Sequence, residues 1–68
     1  MYTRLSWELE RRGKIKNEGI ELYYEKGKIN ILVDRKLHVI KDNNELVNLG
    51  NRNHKISEVV EDILRIFL

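Results

Sequence analysis

Residues 19–34 read Gly-Ile-Glu-Leu-Tyr-Tyr-Glu-Lys-Gly-Lys-Ile-Asn-Ile-Leu-Val-Asp, and their pattern decides the fold. Over 19–25, Ile20, Leu22 and Tyr24 alternate with Glu21, Tyr23 and Glu25, the period of a strand with one buried face. Lys26-Gly27 suits a tight turn, and beyond it Ile29, Ile31 and Val33 again share one parity over 28–34. Two such segments one turn apart predict an antiparallel hairpin.

Working outward, Asp34-Arg35-Lys36 reads as a second turn into a strand over 37–41. Asp42-Asn43-Asn44 reads as a third turn, with a short edge strand over 45–49. Upstream, 3–12 forms a short helix with Tyr2, Leu5 and Leu9 along one face. Arg11 and Arg12 suit its C-terminal end, and Gly13 suits a left-handed cap. Downstream, Ser57 or a near neighbour caps a last helix running to about Phe67. Its apolar side is Ile56, Val59, Val60, Ile63, Ile66 and Phe67, with Glu58, Glu61, Asp62 and Arg65 opposite. The expectation is one α+β domain over 1–68. It comprises a short N-terminal helix, a three- to four-stranded antiparallel meander, and a C-terminal amphipathic helix packed on the sheet.

At 68 residues the chain is near the lower size limit for folding alone, and it has no cysteine to cross-link or ligate metal. A homodimer is one way to enlarge such a core. No apolar run approaches the roughly 20 residues of a membrane span, and nothing at the N-terminus reads as a signal peptide. A soluble, cytoplasmic protein with no membrane partner is expected. Proline, alanine and glutamine are absent while Ile, Lys, Glu and Asn abound, as AT-rich coding in a phage or mobile element would produce. Residues 1–41 hold ten Lys/Arg against six acids, and 42–68 hold three against five. The net charge of +2 is too small to imply nucleic acid by bulk charge.

Two clusters carry the functional signal. Trp7 lies off the Tyr2/Leu5/Leu9 stripe, near Arg4 and Arg11, with Lys14 close if the helix runs on. An aromatic among cations can stack a base while the cations hold its phosphate. The plainer alternative is that Trp7 packs on a neighbouring subunit or loop. The second cluster is Asn51-Arg52-Asn53-His54-Lys55, where Arg52, His54 and Lys55 stand at the start of the last helix. Cations there oppose the positive helix pole and fit best around an anion such as phosphate. The alternative is a solvated loop paired with Glu58, Glu61 and Asp62.

Other chemistry finds no support. His38 in a strand and His54 in a loop do not make a metal site. Thr3, Ser6 and Ser57 lack a nucleophile-elbow sequence. The four glycines are scattered as turn markers, not gathered in a phosphate loop, and Glu21 and Glu25 read as solubilising surface. No cofactor is implied.

The order helix, strands, helix is similar in layout to the double-stranded RNA-binding domain, whose last helix follows a loop and opens with basic residues. Arg52, His54 and Lys55 stand in that place, without that family's lysine- and alanine-rich helix start. Glu8-Leu9 with Arg12-Gly13, then Asn30-Ile31-Leu32-Val33 and 37–41, resemble part of the core of small nuclease-fold proteins related to restriction endonucleases and junction resolvases. That resemblance implies a catalytically dead relative. Asn30 stands near the place of the family's metal-binding Asp, and Val39-Ile40-Lys41 lacks the Glu of its Glu-x-Lys. Neither resemblance assigns a family. The expected function is a small non-enzymatic binding module for nucleic acid, using Arg4, Trp7, Arg11 and Lys14, or Arg52, His54 and Lys55. The alternative is a protein-interaction regulator or inhibitor using Trp7 and an edge strand.

Overall fold

The computed structural model describes residues 1–66. Its elements are α1 (Tyr2–Arg12), β1 (Ile15–Asn17), β2 (Ile20–Glu25), β3 (Lys28–Val33), β4 (Lys36–Ile40), α2 (Asn43–Arg52) and α3 (His54–Ile66). The strands form one antiparallel meander in the order β1-β2-β3-β4. Each connection is a two-residue turn with positive φ at both positions: Glu18 and Gly19 (52° and 81°), Lys26 and Gly27 (55° and 75°), Asp34 and Arg35 (49° and 66°). That is the type I′ turn, whose twist matches the strands it joins. The α+β class and the central hairpin are as the alternation predicts.

That alternation aims Ile20, Leu22, Ile29, Ile31, Val33 and Ile40 at one side of the sheet, where all are buried. Leu5 and Leu9 of α1, Leu46 and Leu49 of α2, and Ile56, Val59, Val60 and Ile63 of α3 complete the same core. All three helices therefore cover one face of the sheet, and no described element covers the other. No helix among the described residues is long and apolar enough to cross a membrane.

Several expectations are corrected. Residues 45–49 are not an edge strand; they lie within α2. Asp42 is extended and its Oδ1 accepts the Glu45 N–H at 2.9 Å, while Glu45 Oε1 accepts the Lys41 N–H at 2.9 Å. Such a cap stabilises a helix start by about 1 kcal/mol. A strand would also place Leu46 and Leu49 on opposite faces. At helical spacing both are buried and Val47 is 39% exposed, and each buried leucine contributes about 1.5–3 kcal/mol. The fourth strand is instead β1, pairing Ile15 with Leu22 and Asn17 with Ile20.

The last helix starts at His54 rather than near Ser57. Its cap is Asn53, whose Oδ1 accepts the N–H groups of Lys55 (3.1 Å) and Ile56 (3.3 Å). Ile66 is 68% exposed, so the buried stripe stops at Ile63; Phe67 lies outside the described residues. Two glycines also differ in role. Gly13 has φ 80° and ψ −141°, a region open essentially to glycine alone and distinct from the left-handed helical cap. Gly50 lies inside α2, where an added Cβ would sit 3.4 Å from Ser57 Cβ; it marks the close approach of α2 and α3 rather than a turn.

Tyr2 ties α1 to the β4–α2 corner. Its backbone N–H donates to Asn43 Oδ1 and its hydroxyl to the Ile40 carbonyl, each at 3.0 Å. Burial lifts the hydroxyl's pKa above its ordinary value of 10.0. The backbone N–H of Ile29 opposes that rise, and Tyr24, Asp42 and Glu45 reinforce it.

Candidate functional site

The outward face of α1 gathers part of the first cluster. Arg4, Trp7 and Arg11 recur at i, i+3 and i+7, so one helix face carries all three. Trp7 is 58% exposed. The Arg11 guanidinium carbon lies 4.6 Å from the Trp7 ring centroid, a cation–π contact. Arg4 and Trp7 line a shallow open depression with Met1, Thr3, Ser6 and Glu10. The opposite side of α1 is buried, and there Glu8 accepts Arg12 Nε at 2.8 Å and faces Arg11 Nη1 at 3.8 Å. Glu8 thereby holds the root of the basic cluster without covering Trp7.

Lys14 is not part of this face. The helix ends at Arg12, and the chain passes through Gly13 to the uncovered side of the sheet. There Lys14 Nζ lies 3.7 Å from Glu21 Oε2 and 5.6 Å from the Tyr23 ring centroid. Glu21 also faces Lys16 Nζ at 3.8 Å.

The second cluster is divided. His54 and Lys55 are exposed at the first turn of α3, but Asn53 already occupies the Lys55 and Ile56 N–H groups that would hold an anion. Arg52 closes α2 and lies beside Lys36, His38 and Leu49 in a separate depression. Among the described residues no ion pair joins Arg52, His54 or Lys55 to an acid; Asp62 instead faces Arg65 Nη1 at 3.6 Å. His38 is half-buried opposite Ile31, and His54 opens α3 rather than sitting in a loop. No group of three or more metal-ligating side chains occurs among the described residues.

The bare sheet face carries a feature that the sequence reading passed over. Across the strands, Glu21, Leu32 and Leu37 fall in one row and Tyr23, Asn30 and Val39 in the next. Leu37 and Val39 are 49% and 48% exposed on the edge strand. Their parity, opposite to that of Ile40, was the available signal. Asn30 is buried in this face with Nδ2 donating to the Lys28 carbonyl at 3.2 Å, so it serves the hairpin. The fourth strand and the extra C-terminal helix also depart from the double-stranded RNA-binding layout. No protein-family model, curated protein or solved structure matches this chain.

Proposed function

We propose that this protein is a non-enzymatic binding module that takes single-stranded nucleic acid on the outward face of α1. The carrying observation is an exposed tryptophan with a guanidinium 4.6 Å from its ring centroid. A base stacks on the free surface of Trp7, and Arg4 and Arg11 meet the neighbouring phosphates. Stacking of this kind contributes about 1–3 kcal/mol per base and tolerates any sequence. Glu10, the acid lining the same depression, works against the phosphate.

The test uses the single tryptophan as reporter. Short single- and double-stranded DNA and RNA are titrated while Trp7 emission is followed at low and high salt. The expected result is a change in emission favouring single strands, with affinity falling steeply as salt rises. Trp7→Ala weakens binding about 5- to 150-fold, whereas Arg52→Glu with Lys55→Glu leaves it nearly unchanged. No emission change and no gel shift with any oligonucleotide would remove this reading. A protein-interaction role, as a small regulator or inhibitor, is the second reading, favoured by the exposed apolar edge at Leu37 and Val39.

A further inference from the structure

The geometry points to β4 as a dimerisation edge, along which two copies join antiparallel about a two-fold axis at His38. In a two-residue hairpin the residues flanking the turn form a hydrogen-bonded pair, and bonded and non-bonded pairs alternate from there. The flanking pair is Val33 and Lys36, so His38 and Ile40 also bond to β3. Leu37 and Val39 turn their N–H and C=O groups outward to the open edge. The next outward N–H, that of Lys41, is already held by Glu45 Oε1 at 2.9 Å.

The free edge therefore offers the backbone groups of two residues, and these complement themselves. Placing Leu37 opposite Val39 of a second copy satisfies both donors and both acceptors on each side. Shifting the register by two residues sets Leu37 against itself or against the occupied Lys41, and leaves groups over. On the bare face the chosen register brings each exposed leucine against an exposed valine, extending the row of Tyr23, Asn30 and Val39 across the junction.

Charge placement on α2 agrees with this occupant. Beside β4, α2 presents Glu45 toward Ile40 and Arg52 toward Lys36 and His38. A two-fold axis at His38 reverses that order, so the Glu45 end of one copy faces the Arg52 and Lys36 end of the other. The same register sets Asp34 opposite Asp42 and Arg35 opposite Lys41, like charges that oppose the pairing at the two ends of the interface. The other sheet edge is short: β1 has three residues, with the exposed Lys16 at its centre. Arg4, Trp7 and Arg11 take no part, so this interface stands or falls apart from the nucleic-acid reading.

Sedimentation velocity from about 1 µM to about 1 mM spans the dissociation of weak interfaces. The expected result is a monomer that doubles its mass within that range. Val39→Pro removes only an outward N–H, leaving the β3 ladder intact, and lowers dimer affinity at least tenfold with an unchanged circular dichroism spectrum. Leu37→Glu, which keeps the backbone donor, weakens it as well through like charges across the axis. A chain that stays monomeric throughout overturns the proposal, as does a folded Val39→Pro variant that dimerises like the wild type.

Discussion

Asp42→Ala tests the junction at which α2 begins. Its carboxylate accepts the Glu45 N–H at 2.9 Å and sits at the positive end of the α2 dipole. Losing the cap bond costs about 1 kcal/mol and losing the charge about 0.5 kcal/mol, so alanine lowers stability by about 1.5 kcal/mol. A 68-residue chain has roughly 3–10 kcal/mol to lose, and the melting temperature falls by about 6–12 °C. Asp42→Asn keeps the acceptor and drops only the charge, so it costs about 0.5 kcal/mol. Urea and thermal unfolding followed by circular dichroism measure all three proteins, with an unchanged denaturant slope expected. Equal losses for alanine and asparagine would refute the cap. An alanine loss under about 0.3 kcal/mol would refute the helix start itself.

Three further outcomes follow from the packing. Arg35→Gly raises stability by about 0.5–1 kcal/mol, because φ of 66° strains a side-chain-bearing residue; a lowered urea midpoint would contradict the turn. Ile31→Ala empties a fully buried site at the centre of the core and costs about 2–5 kcal/mol, read as partial or complete unfolding at 25 °C. Tyr2 gives an alkaline dependence. Its pKa is raised on folding, so the unfolded chain loses the proton first, and its contribution is whole below pH 10.0 and lost as pH rises through the folded-state value. Tyr2→Phe removes that loss, and urea midpoints measured across the alkaline range would show it as a shallower decline. An identical decline would place the tyrosinate effect elsewhere.

The parts legible in the sequence were those where local and global preferences coincide. Ile20, Leu22, Ile29, Ile31 and Val33 alternate because one sheet face is buried, and Leu5 and Leu9 repeat at helical spacing because one helix face is. The exposed Trp7 with Arg4 and Arg11 was legible for the same reason, since a regular helix places its own side chains. Lys14 was not, because Gly13 redirects the chain beyond the helix, and no periodicity reports where it goes next.

The sequence by itself determined the α+β class, the central hairpin and the faces of its regular elements, because period and turn chemistry act within a few residues. Tertiary structure alone decided the rest. Glu45, Leu46, Val47, Asn48 and Leu49 suit a strand or a helix by composition, and burial of Leu46 beside Leu49 under the Asp42 cap selects the helix. Ile15, Lys16 and Asn17 are too few to declare a strand, and become one because β2 offers its unpaired edge. Which sheet face stays bare, and which edge stays open, depends on where three helices can share one core, a competition among distant residues that no local pattern records.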